Sequence, residues 1–116
     1  MAKHRSKGYV LVLVTCATRR EAARIARAVV SERHSACANV LETPVRSIYR
    51  WKGKVEQSRE FLLLLKTSRE RLAALRAKVI ELHSYDVPEF IALPIVAGSP
   101  NYLAWLADSL NPKPPR

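Results

Sequence analysis

Apolar residues follow two different patterns along the chain, and the change from one pattern to the other predicts where strands and helices lie. Residues 9–15 are apolar almost without interruption, which is typical of a strand buried inside a sheet. Thr18 and Glu21 have the spacing of a capping box, and apolar residues then recur at helical intervals. We therefore predict a central strand and then an amphipathic helix that ends near His34.

The middle of the chain predicts a pair of strands joined by a tight turn. Residues 36–51 are rich in β-branched and aromatic side chains and contain Pro44, which favours a bulge or an edge position. Lys52 and Gly53 supply the turn, because glycine tolerates the positive φ of tight hairpins. The third strand starts at Lys54 and is apolar throughout 61–65. The prediction is a long second strand, bent at the proline, followed by a returning third strand.

The last third of the chain predicts a helix, a strand and a further helix. Thr67 and Glu70 form a second capping signature, so a helix is expected from there to about His83. Residues 90–96 are apolar and include Pro94, which favours an edge strand. A short helix with Ser99 and Pro100 at its start then runs to Leu110.

The element order predicts an α+β fold of ferredoxin-like βαββαβ topology with an extra C-terminal helix and a long hairpin between the second and third strands. Two helices cover one face of such a sheet, so the apolar strands imply that the last helix or other subunits cover the second face. We expect one domain over residues 9–110, a basic flexible tail over 1–8 and a flexible tail over 111–116. A length of 116 residues and a hydrophobic content of 48% agree with a single core.

Cysteine content and the first residues favour a cytoplasmic location. The chain has two cysteines, Cys16 and Cys37, and no secretory signal is expected, because the apolar run at 9–15 is too short for a signal peptide or a membrane span. Free thiols are usual in a reducing compartment. The prediction is a cytoplasmic protein without a structural disulfide and without a membrane partner.

A formal net charge of +10 makes an anionic ligand or nucleic acid a partner to consider. Arg20, Arg24 and Arg27 lie on one face of the first predicted helix, where they form either an anion-binding stripe or an ordinary solvated face. The third strand lacks the aromatic stacking pattern of an RNA-recognition motif, so nucleic acid is not favoured. The three glycines form no phosphate loop and no acid-base constellation is evident, so an enzyme is not predicted.

The predicted chain directions bring Cys16, His83 and Glu89 to one edge of the sheet. A thiol, an imidazole and a carboxylate suit copper or zinc. Cys16 also precedes a helix N-terminus near Arg19, surroundings that favour a thiolate. Each residue has another interpretation: Cys16 as a small packed apolar residue, His83 as a helix C-cap, and Glu89 as the partner of an arginine.

A second copper site is predicted at the N-terminus. If Met1 is removed, Ala2, Lys3 and His4 present a free amine, backbone amides and an imidazole. These nitrogens suit square-planar Cu(II).

The motifs of the chain, taken together, resemble the CutA family of divalent-cation tolerance proteins over about residues 9–110. The segments that carry the resemblance are Val14-Thr15-Cys16, Ala36-Cys37-Ala38-Asn39-Val40, Ser47-Ile48-Tyr49-Arg50-Trp51-Lys52-Gly53-Lys54, Lys66-Thr67, His83-Ser84-Tyr85, Val87-Pro88-Glu89, Ile91-Ala92-Leu93-Pro94-Ile95 and Tyr102-Leu103-Ala104-Trp105-Leu106.

The resemblance implies a homotrimer whose long second and third strands extend into sheets shared between subunits. It also implies binding of copper or other divalent cations in the response to metal ions, with Cys16, His83 and Glu89 as candidate ligands. The alternative function is that of a PII-like trimer that binds an anionic ligand or nucleic acid through its basic surface.

Overall fold

A computed structural model describes residues 8–112 and contains one antiparallel sheet and three α-helices within that range. In chain order the elements are β1 (Tyr9–Cys16), α1 (Arg19–Ser31), β2 (Cys37–Val40), β3 (Val45–Trp51), β4 (Lys54–Ser68), a 3-10 turn (Arg69–Arg71), α2 (Leu72–Leu82), β5 (Ile91–Pro94) and α3 (Pro100–Leu110). The α+β class and the extra C-terminal helix are confirmed.

The sheet has five strands in the order β2-β4-β1-β5, and β3 also pairs with β4. β1 lies between β4 and β5, which agrees with its uninterrupted apolar sequence. β5 is an edge strand, as its Pro94 predicts, because proline has no N–H to donate to a further neighbour. It is shorter than the predicted residues 90–96.

The predicted second strand is two strands in the structure. Val40 lies opposite Leu63 in β2, whereas Val45 lies opposite Glu60 in β3, so residues 41–44 face only residues 61–62 of β4. Four residues on one side cannot all pair with two residues of β4, and Pro44 has no N–H to donate to that strand. The bend predicted at the proline is therefore a complete break in the strand.

The hydrophobic core lies between one face of the sheet and the helices α1 and α2. Alternate residues of β1 and β4 point to this face, because successive side chains of a strand point to opposite sides. The buried apolar residues of this core are Val10, Val12, Val14, Cys16, Ala22, Ile25, Ala26, Val29, Leu63, Leu65, Leu75 and Val79. Both helices thus cover the same face, and the site described below lies at the end of this core where β1 stops.

The second face of the sheet is covered only in part. α3 buries Leu106 and Leu110 in a small cluster with Ala36, against which Tyr9 packs. Further along this face, Ile91 remains 49% exposed and Leu93 42% exposed. A large apolar area of the single chain is therefore open, as the strand pattern predicts.

The start of α2 differs from the prediction. Thr67 is not a helix cap; it belongs to β4, is fully buried, and its hydroxyl donates to the carbonyl of His34. Ser68 caps the 3-10 turn instead, by accepting a hydrogen bond from the Arg71 N–H. β4 therefore runs further than its apolar core indicates, and α2 begins at Leu72, later than expected.

Candidate metal centre

Three buried side chains with metal-ligand chemistry meet at the end of the core. Cys16 is the last residue of β1, Glu21 lies in the first turn of α1, and His83 directly follows α2. One ligand atom from each lies within 4.8 Å of the others. The antiparallel topology brings these three chain positions to one edge of the sheet, which is the reason that distant residues meet here.

Glu21 is held in place by the beginning of its own helix and by the loop after α2. Its backbone N–H donates to Thr18 Oγ1, so the predicted N-cap is confirmed. Its carboxylate accepts the N–H of Ala17 at 3.2 Å and the N–H of Ser84 at 2.6 Å. Burial acts to raise the pKa of Glu21, but the hydrogen bonds from Ser84 and Ala17 outweigh it, so the pKa lies below its usual value. Glu21 is therefore a buried carboxylate that keeps its charge.

The ring of His83 is oriented by two backbone groups. Nε2 lies 2.8 Å from the carbonyl oxygen of Thr15, which can only accept, so Nε2 carries the proton. Nδ1 then accepts the N–H of Tyr85 at 3.1 Å and lies 3.8 Å from Glu21 Oε2. The basic nitrogen of the imidazole thus faces the carboxylate of the site.

The Cys16 side chain is a neutral thiol, contrary to the thiolate expected from sequence. Burial, followed by the charges of Glu21 and Glu60, raises the pKa of Cys16 to about 12. Arg19, which was expected to favour the thiolate, forms an ion pair with Glu42 at 3.2 Å on the surface. The expectation was wrong because it counted sequence neighbours and omitted the desolvation of a fully buried sulfur.

The arrangement fits a thiophilic divalent cation. A metal-binding imidazole usually donates its other ring N–H to a backbone carbonyl or carboxylate, and His83 makes that bond to Thr15. Sulfur, nitrogen and oxygen donors together suit zinc or copper. Ligation requires that the Cys16 thiol lose its proton and that the three ligand atoms approach one another.

Two of the three residues predicted from sequence belong to this cluster. Cys16 and His83 do, whereas Glu89 is half-buried and is not a member of the one such cluster found within residues 8–112. Glu21 takes the place expected for Glu89. It was interpreted from sequence only as a capping residue, although the chain directions that place Cys16 at this edge place the first turn of α1 there too.

The other predicted binding residues lie elsewhere. Ala2, Lys3 and His4 fall outside the described residues 8–112. Arg20, Arg24 and Arg27 are exposed on α1, and Arg24 donates to the carbonyl of Leu82 at the end of α2. One member of the arginine row thus has a structural partner within the chain.

The fold and the site define a class of protein: a small α+β domain with one open antiparallel sheet and a buried cluster of thiol, imidazole and carboxylate groups. The model of the CutA1 divalent ion tolerance protein family matches residues 10–109, and the chain belongs to this family.

Its curated relatives come from bacteria and eukaryotes. The divalent-cation tolerance protein CutA of Thermus thermophilus is 43% identical over 99 residues, which is 85% of this chain and 95% of that protein. Mouse CutA is 45% identical over 93 residues, 80% of this chain, and the matched part is 52% of the mouse protein. The chain thus spans about half the length of that mammalian relative.

Solved structures of the family share the fold. CutA1 of Oryza sativa superposes with a TM-score of 0.87 at 38% identity. The aligned part is 96% of this chain and 100% of the Oryza sativa chain. The Thermus thermophilus structure gives a TM-score of 0.86 at 42% identity, covering 89% of this chain and 99% of that chain. Within the described residues, no helix has the length and apolar character needed to cross a membrane.

Proposed function

We propose that this chain binds a divalent cation through Cys16, Glu21 and His83 and serves in divalent cation tolerance as a cytoplasmic, non-enzymatic protein, with copper as the leading metal. The observation that carries the proposal is the buried cluster whose ligand atoms lie within 4.8 Å of one another. Glu21 replaces Glu89 as the proposed carboxylate ligand, because Glu21 lies 3.8 Å from His83 Nδ1.

Charge balance supports a divalent ion in this site. Glu21 is a carboxylate, His83 is a neutral ligand through Nδ1, and Cys16 becomes a thiolate when its proton leaves. Two negative charges then match a 2+ ion, which lessens the cost of burying charge. Copper is favoured by the thiolate and imidazole donors and by its place in the order of divalent-metal affinities.

We further propose that the chain assembles as a homotrimer. The β3–β4 hairpin, residues 45–60, carries large apolar side chains that are exposed in the single chain: Ile48, Tyr49, Trp51 and Val55. The open sheet face adds Ile91 and Leu93. Monomeric proteins rarely leave apolar surface of this extent uncovered, so contacts between subunits are its expected use.

The test of cation binding is a titration that also counts protons. Zn(II), which is redox-inert, and Cu(II) are titrated into the full chain by calorimetry in buffers of different ionisation enthalpy. Because the pKa of Cys16 is about 12, the thiol is protonated at neutral pH, so ligation should release about one proton from it. Native mass spectrometry of the same samples reports the assembly state and the number of metal ions per chain.

Variants assign the site. Cys16→Ala and His83→Ala should each weaken zinc binding at least about tenfold, because even the loss of a group that only orients a ligand costs about 10–100-fold. Cys37→Ala is the matched control, because Cys37 is the second free thiol and lies outside the cluster. Unchanged affinity in both Cys16→Ala and His83→Ala would show that the site is misplaced. A monomer in the native spectrum would refute the assembly.

The predicted tail site requires a separate deletion. Removal of residues 1–7 should abolish one Cu(II) equivalent if Ala2, Lys3 and His4 bind copper, and should leave zinc binding at Cys16 unchanged. Identical copper stoichiometry before and after the deletion would exclude the tail site.

A further inference from the structure

The loop that follows α2 connects the candidate metal site with the hairpin. The N–H of Ser84 donates to Glu21 Oε2 at 2.6 Å, and the N–H of Tyr85 donates to His83 Nδ1 at 3.1 Å. The phenol hydroxyl of Tyr85 then donates to Glu60 Oε2 at 2.7 Å. Two successive loop residues therefore hold two candidate ligands by their backbone, while one side chain reaches β4.

Glu60 lies where the hairpin joins the main sheet. It is opposite Val45, the first residue of β3, and the next residue, Phe61, is opposite Cys16 in β1. Glu60 is only 8% exposed and Tyr85 is half-buried, so their hydrogen bond is partly shielded from water, where it is stronger than at the surface. A displacement of the Tyr85 hydroxyl therefore displaces Glu60, which pairs with Val45 at the start of the hairpin.

Cation binding competes with the contact that positions Tyr85. Nδ1 of His83 has one lone pair, which serves either the Tyr85 N–H or a metal ion. The ligand atoms of the cluster are separated by up to 4.8 Å. Zinc bonds of about 2.0–2.3 Å to nitrogen and sulfur require ligand atoms less than about 4 Å apart. The Tyr85 N–H therefore loses its acceptor when Nδ1 binds an ion, and this loss is what displaces the loop at Tyr85.

We propose that the hydrogen bond between Tyr85 and Glu60 transmits cation binding at Cys16, Glu21 and His83 to the β3–β4 hairpin. The proposal rests on the proposed function, since it assigns a consequence to occupancy of that site. The hairpin carries exposed Tyr49 and Trp51, so its contacts with another subunit respond to the metal.

Hydrogen exchange of the full chain, measured by mass spectrometry with and without saturating Zn(II), tests the link. In the wild-type protein zinc should change the exchange rate of hairpin amides, residues 45–60, by at least about threefold. Tyr85→Phe should still bind zinc, because its backbone N–H and ring remain, but at saturating zinc it should lose the response of the hairpin. Tyr49→Phe is the matched control: it removes a hairpin hydroxyl that lies 3.4 Å from Ser58 Oγ and should keep the response.

Two results would overturn the link while leaving the proposed function intact: zinc bound without any change at the hairpin, or an equal change in Tyr85→Phe. The absence of zinc binding to the wild-type protein would instead refute the proposed function. A comparison without zinc tests the connection between Tyr85 and Glu60 even if the protein does not bind zinc. Glu60→Ala should raise the exchange of the Tyr85 amide at least about threefold and leave that of Ala17, across the site, unchanged; equal rates at Tyr85 would contradict the link.

Discussion

The buried thiol of Cys16 predicts a specific loss of stability at alkaline pH. The ordinary pKa of the cysteine side chain is 9.0, and burial with the nearby carboxylates raises the pKa of Cys16 to about 12 in the folded chain. Below pH 9 the thiol is neutral in both states, and its contribution to stability is fully present. As the pH rises further, the unfolded chain loses the proton first, so stability falls until the folded thiol ionises as well.

The expected size of this effect follows from the two pKa values. Each pH unit between them lowers the free energy of unfolding by at most about 1.4 kcal/mol. At about pH 10.5 the loss attributable to Cys16 is then about 2 kcal/mol, a large fraction of the stability of a small domain. Tyr85 adds a loss of the same sign, because burial and its hydrogen bond to Glu60 raise its pKa.

The measurement is urea unfolding at about pH 8 and about pH 10.5, followed by circular dichroism at one protein concentration so that any assembly contributes equally. Cys16→Ala should lose about 2 kcal/mol less between the two pH values than the wild type, because the Cys16 contribution is removed while those of other groups, such as Tyr85, are common to both proteins. Cys37→Ala retains the buried thiol and should behave as the wild type does. Equal losses in the wild type and Cys16→Ala would refute the assignment of a protonated, desolvated thiol.

Two further predictions concern local structure. The pKa of Glu21 is lowered in the folded chain. Its contribution to stability is therefore present above the pKa of the unfolded chain and is lost as the pH falls through the folded pKa. Glu21→Gln should be less stable than the wild type in urea at neutral pH, and the free energies of unfolding of the two proteins should converge at acid pH. Gly53, at φ +83° in the hairpin turn, should tolerate alanine poorly, and Gly53→Ala should cost about 1 kcal/mol in the same assay. Gly8→Ala is the control: an added Cβ meets nothing within 4 Å at either glycine, but Gly8 lacks the positive φ of Gly53.

The element order was predictable from sequence because each pattern reflects a single physical requirement. The apolar run of β1 follows from its position between two other strands, and Thr18 caps α1 through a contact three residues away. The cap depends on local sequence, and the apolar run depends on burial of the whole strand. The end of β4 was not predictable in this way, since Thr67 has the sequence of a helix cap but is held in the strand by a hydrogen bond to the distant His34.

The candidate site was predictable in its location but not in its chemistry. Chain direction alone brings Cys16 and His83 together. The identity of the third candidate ligand and the state of the thiol depend on contacts that no local pattern records. These are the amide of Ser84, which fixes the carboxylate of Glu21, and the burial that keeps the Cys16 proton in place. The same carboxylate raises the pKa of the thiol in the metal-free chain and would bind the cation beside it. On the proposed function, proton release from Cys16 and capture of a divalent ion form one coupled equilibrium, and affinity for the ion should increase with pH in the wild type more steeply than in Cys16→Ala.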